Sequence, residues 1–156
     1  MMDITIKPNS NYWIANNVGC IIIFCLSVIA LGSVIPVVQW ISLVVMCFTF
    51  LKCLYDYLYL NSLKWVIGVE VLEIYSGILS RSKNHIELYR IVDYVEEQSF
   101  MERLFGVKRI ILLSSDKTTP RLIISGIDNN KEVTKIIRER VEFNKQNKRI
   151  YEISNR

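Results

Sequence analysis

Two long runs of apolar residues fill the first third of the chain, and short alternating stretches of apolar and polar residues follow. No residue is charged between positions 18 and 35 or between positions 37 and 51, and only Pro36 separates these runs. Because an α-helix rises about 1.5 Å per residue, about 20 apolar residues cross the hydrocarbon core of a bilayer. The pattern predicts two membrane-spanning helices, over about residues 14–35 and 37–60.

The connection between these helices, around positions 32–36, is so short that they must run antiparallel as a transmembrane hairpin. Aromatic residues cluster near the ends of the predicted spans, as is typical of membrane interfaces: Tyr12, Trp13, Trp40, Tyr55, Tyr57 and Tyr59. The connection holds no Lys or Arg, whereas Lys7 precedes the first helix and Lys64, Arg81 and Lys83 follow the second. The positive-inside rule therefore predicts a protein integral to the cytoplasmic membrane, with both termini in the cytoplasm.

Two other interpretations of the apolar runs are weaker. A cleaved signal peptide would need a more basic start than Lys7 alone, and here a second apolar run follows at once. Helices of a soluble core would show one polar face, which these runs lack. Lys52 and Asp56 lie four residues apart on one helix face near the end of the second span. They either reach the headgroups or form a buried functional ion pair.

Composition adds that the net charge comes from the second part of the chain. Residues 61–156 carry 17 Lys+Arg and 13 Asp+Glu, which accounts for the whole net charge of +4. The four cysteines all lie in the apolar part, without a C-x-x-C spacing: Cys20, Cys25, Cys47 and Cys53. We interpret them as apolar filler residues and expect neither a disulfide framework nor a metal site.

The remainder of the chain reads as a run of strands followed by one helix. The strand segments are residues 65–67, 71–75, 78–81, 85–88, 91–97, 107–114 and 121–125, with turns at Ser76-Gly77 and over residues 116–120. We expect a cytoplasmic domain over residues 63–145 and a polar tail over residues 146–156, after an N-terminal tail and helix hairpin over residues 1–62. Since Asn61-Ser62 is the only joint, the domain must lie close to the bilayer.

The last helix is predicted from one apolar stripe at helical spacing, formed by Val133, Ile136, Ile137 and Val141. Asn129 is its expected N-cap, with Glu132 at the capping-box position. Lys135–Glu139 and Arg138–Glu142 are expected to form ion pairs on its solvent-exposed face. Because short antiparallel strands must hide their edges, we expect a bent barrel or sandwich that this helix closes.

The segment QSFMERLFG, residues 98–106, interrupts the strand pattern. Ser99 followed by Glu102 forms a capping box, and Gly106 suits the left-handed position after a helix. The pattern predicts a single helical turn with its apolar side facing inward. Its Arg103 is expected to tie this turn to the barrel.

Three segments in this order resemble the bacterial pleckstrin-homology-like (PH-like) domain of the second type: LEIYSGILSR, HIELYRIVDYVEEQS and FMERLFGVKRIIL. The matching residues are Gly77, Leu79, Arg81, Leu88, Arg90, Ile91, Gln98, Ser99, Arg103, Leu104 and Gly106, and Glu87 stands where that family favours Pro. The resemblance covers roughly residues 65–141, and that family often follows a pair of transmembrane helices. It implies an α+β, mainly-β fold of seven bent strands with a C-terminal helix, and a role in interaction or scaffolding.

Catalytic chemistry finds little support in the sequence. His85 is the only histidine and has no Cys, Asp or Glu at ligand spacing, and the glycines form no phosphate loop. Glu96 and Glu97 are adjacent in a predicted strand, so their carboxylates point to opposite faces. We therefore expect neither enzymatic activity, nor catalytic residues, nor a cofactor, nor a metal.

The basic residues suggest contact with lipid or a partner, because the cytoplasmic leaflet is anionic. The candidates are Arg81, Lys83 and Arg90, whereas nucleic acid is not expected because aromatic residues do not alternate with the basic ones. The first hypothesis is a non-enzymatic membrane protein that presents an interaction or scaffolding domain to a protein partner, to itself or to lipid. The alternatives are a lipid-headgroup sensor and an accessory subunit of a membrane enzyme or transporter that uses Lys52 and Asp56.

Overall fold

The two predicted helices are present, and a short strand precedes them. A computed structural model describes residues 3–116 and 119–148 of the protein. Strand β1 (Ile4–Ile6) leads into helix α1 (Ser10–Ala30), and a five-residue connection leads into helix α2 (Pro36–Ser62). Helix α1 begins earlier than the predicted residue 14, because Asn9 caps it by accepting the Asn11 N–H at 2.9 Å. It also ends at Ala30, before the predicted residue 35, because a turn begins at Leu31.

Helices α1 and α2 pack side by side and are both long and apolar enough to cross a membrane. Only 17% and 11% of their most apolar windows are buried, whereas helices of a soluble core would be mostly buried. Polar side chains occupy several of their buried positions, among them Ser27, Ser42 and Thr49. Each hydroxyl donates to a carbonyl of its own helix, so close packing leaves none of the three unsatisfied.

The rest of the described chain forms two antiparallel sheets and two further helices. The first sheet has the order β1-β2-β3-β4, with β2 (Lys64–Ile67), β3 (Val71–Ser76) and β4 (Ser82–Glu87). The second has the order β5-β6-β7, with β5 (Ile91–Glu97), β6 (Val107–Ser114) and β7 (Arg121–Asp128). A 3-10 turn (Leu88–Arg90) joins the sheets, and α3 (Phe100–Leu104) joins β5 to β6. Helix α4 (Val133–Asn147) follows β7.

Helix α4 packs its apolar stripe into the core between the sheets, as predicted. Val133, Ile137 and Val141 are buried against residues of both sheets. Two polar side chains on the same helix fix it to the turn after β2. Arg140 donates to the carbonyls of Ile67 and Gly68, and Asn144 donates to the carbonyl of Val69. The arrangement is compatible with the expected sandwich closed by a C-terminal helix.

Several predicted details of the domain are wrong. Residues 78–81 do not form a strand, because Ser76 pairs with Ser82 and residues 77–81 form a loop between β3 and β4. Helix α4 has Glu132 as its N-cap without a side-chain bond, so Asn129 does not cap it. Lys135 pairs with Glu132 at 3.5 Å and not with Glu139, although the Arg138–Glu142 pair forms at 2.8 Å. The predicted turn over residues 116–120 and the polar tail lie partly outside the described residues.

Strand β1 was not predicted from the sequence. It pairs with β2, although both long helices lie between these two strands in the chain. Ile4 lies opposite Ile67, Thr5 opposite Val66 and Ile6 opposite Trp65. Residues 4–6, expected in a tail before the hairpin, therefore belong to the first sheet. A strand of three residues is too short for its alternation to be recognised, and only pairing with β2 gives it a place in the core.

The start of α1 is also fixed to the second sheet. The Asn9 N–H donates to the Gly126 carbonyl of β7 at 2.8 Å, and the Asn9 amide donates to the Asp128 carboxylate. Gly126 has a φ of +72°, and a Cβ there would lie 3.0 Å from the Cβ atoms of Pro8 and Tyr12. This close approach requires glycine. The base of the helix pair is thus attached to both sheets.

The buried end of β1 provides a test of this attachment. Ile6 lies in the core and Thr5 is exposed on the same strand. We expect Ile6→Ala to lower the free energy of unfolding by about 2 kcal/mol, because it removes buried methyl groups. We expect Thr5→Ala to change it by less than about 0.5 kcal/mol. Thermal unfolding of the full chain in mild detergent measures both, and equal effects would contradict the place of β1 in the core.

The Asn9–Asp128 contact predicts a pH dependence. The Asn9 amide, and next the Lys131 ammonium, lower the pKa of the Asp128 carboxyl. A lowered folded-state pKa stabilises the fold above the pKa of the unfolded group, about 3.9, and this gain is lost as the pH falls through the folded value. Asn9→Ser keeps a helix cap but cannot reach Asp128. The stability difference between wild type and Asn9→Ser should be largest at pH 5–7 and shrink below about pH 3.9; a constant difference in acid titrations followed by circular dichroism would refute it.

Candidate functional site

A groove of about 460 Å³ lies where the last turn of α2 meets the first sheet. We call it the base groove. Its walls are the end of α2, the start of β2, the segment before α1 and the loop 77–81. The lining residues are Lys7, Leu58, Asn61, Ser62, Leu63, Lys64, Tyr75, Ser76, Gly77, Ile78, Arg81 and Ser82.

A hydrogen bond fixes the loop to the helix at the floor of this groove. The Gly77 N–H donates to Ser62 Oγ at 3.2 Å, while the Ser62 hydroxyl donates to the Tyr59 carbonyl at 2.7 Å. Gly77 has a φ of +111°, and a Cβ there would lie 1.8 Å from the Ser80 carbonyl oxygen. Glycine is therefore required at this turn, as the sequence pattern predicted.

Within residues 3–116 and 119–148, three cations line the base groove and no carboxylate does. Among the described residues, Lys7, Lys64 and Arg81 form no ion pair. The Lys64 Nζ lies 5.6 Å from the centroid of the Tyr75 ring, at the distance of a cation–π contact. The groove therefore has an unbalanced positive charge and can accept an anion.

The structure separates the three basic residues that the sequence singled out. Arg81 lines the base groove. Lys83 lies on the neighbouring strand, but its Nζ is 2.8 Å from Glu73. The hydrogen bond from Lys83, and next that from the Tyr75 hydroxyl, lower the pKa of the Glu73 carboxyl, so this pair stays ionised and neutral overall. Lys83 is therefore less available to an external anion than Arg81.

Arg90 lies outside the groove, in the 3-10 turn between the sheets. Its Nε is 2.9 Å from Glu87, and its Nη1 is 3.5 Å from Asp116. In the prediction from sequence, Lys7 and Lys64 served only to orient the helices and were not assigned to a site. They come together because β1 pairs with β2, a contact between residues about 60 positions apart.

The capping box predicted in QSFMERLFG is confirmed. The Ser99 N–H donates to the Glu102 carboxylate at 2.7 Å, and the Glu102 N–H donates to Ser99 Oγ at 3.3 Å. Gly106 follows the helix with a φ of +68°. Ser99, Glu102 and Gly106 thus have the structural roles expected from their spacing.

The prediction for Arg103 is wrong, and so is the direction of the apolar side. Arg103 is exposed, and the turn is tied to the barrel by Glu102, whose Oε1 lies 2.9 Å from Arg109 Nε on β6. This is a close charge contact without hydrogen-bond geometry at Nε. Because Glu102 occupies the inward position of α3, Phe100 and Leu104 face outward, with 76% and 69% of their surface exposed.

Lys52 and Asp56 are paired, as their spacing predicted. The Lys52 Nζ lies 2.6 Å from Asp56 and 3.2 Å from Asn17 Oδ1 on the facing helix. The Asn17 amide also donates to the Trp13 carbonyl, so these polar groups satisfy one another between the helices. A second cavity of about 380 Å³ lies beside this cluster and is lined by Asp56, Asn17 and aromatic residues of the helices and of β2.

The described titratable residues outside these sites include His85 and Glu96. Within residues 3–116 and 119–148, no three His, Cys, Asp or Glu side chains are placed to hold a metal. His85 is exposed on β4 opposite Glu73. The Glu96 carboxylate accepts from Thr134 and lies 3.0 Å from Lys108, and the hydrogen bond from Thr134 is the main cause of its lowered pKa.

A comparison with models of protein families identifies the family of this chain. The family model of the bacterial PH domain matches residues 18–141, from the third turn of α1 into α4. The chain belongs to the bacterial PH domain family. The match includes most of α1, all of α2 and strands β2 to β7, whereas β1 and the start of α1 lie before it. Searches of curated proteins and of solved structures found no significant match.

The capping box of this PH domain leads to a further prediction. Glu102→Ala should lower the free energy of unfolding by about 2 kcal/mol or more, because it removes the cap and leaves Arg109 without a counter-charge. Ser99→Ala should cost about 1 kcal/mol. Arg103→Ala, at an exposed position of the same helix, is the matched control and should cost less than about 0.5 kcal/mol. A larger loss for Arg103→Ala than for Glu102→Ala in thermal unfolding would restore the role that the sequence suggested.

Proposed function

We propose that the protein is an integral protein of the cytoplasmic membrane that holds a non-enzymatic PH domain on the cytoplasmic surface as an interaction module. The observation that carries this proposal is the pairing of β1 with β2. It joins the chain just before α1 to the chain just after α2, so both ends of the helix pair are tied to one sheet. A bilayer-spanning hairpin needs such an arrangement, with both ends on one side.

The lengths of the helices fit a bilayer. About 20 residues cross a hydrocarbon core of about 30 Å, so a span that starts at Pro36 ends near Asp56. Trp13 and Tyr57 lie at this level, with their ring centroids 5.9 Å apart. Aromatic rings of this kind favour the boundary between hydrocarbon and headgroups. The Lys52 ammonium, about 6 Å further in, reaches the same boundary through its flexible stem.

The charge distribution supports the cytoplasmic orientation. The connection of residues 31–35 holds no charged residue, whereas Lys7 and Lys64 flank the base of the helix pair. Positive charge close to the ends of spans favours the cytoplasmic side. The PH domain would then lie against the anionic inner leaflet.

A role in interaction is supported by the open edges of the sheets. Among the described strands, β4 pairs with β3 alone and β5 pairs with β6 alone. The backbone groups on their free sides can accept an extended segment of a partner or of a second copy. A second candidate, the sensing of lipid headgroups, is favoured by the base groove with its unpaired cations.

Cysteine accessibility tests the topology. In a variant with Cys20, Cys25, Cys47 and Cys53 replaced by Ser, a single Ser33→Cys should react with a membrane-impermeant maleimide in intact cells. The matched control, Asn130→Cys in the exposed turn before α4, should react only after permeabilisation. The reverse pattern would overturn the orientation. If alkaline carbonate released the protein from the membrane, the proposed membrane anchor itself would be overturned.

A further inference from the structure

We infer that the base groove binds the headgroup phosphate of an anionic phospholipid from the leaflet that the helix pair enters. This inference rests on the proposed membrane insertion and adds a ligand class and a site to it. It depends on four features of the groove: its charge, its apolar rim, its depth relative to the bilayer and its rigidity.

The charge comes from Lys7, Lys64 and Arg81, which approach the groove from three separate segments of the chain. Among the described residues none of the three has a carboxylate partner, and no Asp or Glu lines the groove. The cations of α4 differ, because Lys135 and Arg138 each lie beside a glutamate of their own segment. Charged hydrogen bonds from such donors are the usual way to hold a phosphate.

The apolar rim lies next to these cations. Leu58 of α2 and Ile78 of the loop 77–81 both line the groove, and Leu79 beside them is fully exposed. Aliphatic side chains at an exposed loop tip can enter a lipid surface, which removes their apolar area from water. Cations next to exposed aliphatic side chains suit a molecule that has a charged headgroup and acyl chains, and suit a free anion less well.

The depth of the groove follows from the helix length. Ser62 lies six residues beyond Asp56, that is about 9 Å outside the hydrocarbon boundary. The polar layer of a bilayer extends about 5–7 Å beyond that boundary on each side. Lys and Arg side chains are long enough to reach back over this difference. The charged groups of Lys7, Lys64 and Arg81 can therefore reach the level of the lipid phosphates.

The groove is also fixed in shape before any ligand binds. The Gly77–Ser62 hydrogen bond holds the loop to α2, and the β1–β2 pairing holds Lys7 near Lys64. A preformed site loses less conformational entropy on binding than a flexible one. This distinguishes the groove from a diffuse attraction between a basic surface and an anionic membrane.

Native mass spectrometry of the full chain in mild detergent tests the inference, with phosphatidylglycerol and phosphatidylcholine of equal acyl chains as probes. The groove variant carries Lys7→Gln, Lys64→Gln and Arg81→Gln. The control variant carries Lys131→Gln, Lys135→Gln and Arg138→Gln, an equal change in charge at exposed positions outside the groove. We expect the preference for phosphatidylglycerol over phosphatidylcholine to fall about tenfold in the groove variant. In the control variant this preference should stay within about twofold of wild type.

An unchanged preference in the groove variant, or equal losses in both variants, would overturn the inference. Equally tight binding of soluble glycerol phosphate to the wild type, abolished by the groove variant, would make the groove a site for free anions and overturn the lipid assignment. Arg81→Gln with Leu79→Ser, both at exposed positions, guards against misfolding and should still lower the preference severalfold. Carbonate extraction of each variant separates this test from the proposed anchor, because a groove variant that stays in the membrane isolates the headgroup contact.

Discussion

The pairing of β1 with β2 is the constraint on which the rest of the structure depends. It connects two segments separated by 57 residues, from Ile6 to Lys64, and so closes the helix pair into an insertion within a sheet. Without it, the described parts of the helices and the PH domain would share the covalent joint at Ser62, the Gly77–Ser62 hydrogen bond, and a few contacts of α1 with β7 and α3 and of α2 with β3. With it, the helix pair has a fixed base, and the domain has a fixed face toward that base.

This constraint also explains the location of the candidate site. Lys7 directly follows β1, and Lys64 is the first residue of β2. Arg81 is the last residue of the loop that Ser62 holds in place. Three cations from distant parts of the chain therefore converge on one groove. Like charges repel one another, and no carboxylate of the described residues lines the groove to reduce this repulsion. Such an arrangement is expected where an external anion completes the charge balance.

The polar groups inside the helix pair have a different character. Lys52, Asp56 and Asn17 satisfy one another and the Trp13 carbonyl, so their charges and hydrogen bonds are internal. Their contribution is to hold two helices in one alignment at the boundary of the apolar segment. The same contrast holds in the domain, where Lys83 is neutralised by Glu73 and Arg81 is not.

The sequence by itself determined the features that depend on near neighbours in the chain. Apolar runs defined the two helices, the S-x-x-E spacing defined the cap of α3, and the stripe of α4 defined its buried face, because each of these depends on residues within one continuous segment of the chain. Only the tertiary structure decided the rest. The three residues of β1 have no periodicity of their own, the inward position of α3 went to Glu102 because Arg109 lies on the next strand, and the base groove exists because the two ends of the helix pair meet in one sheet. These contacts join residues whose proximity the order of the sequence does not specify.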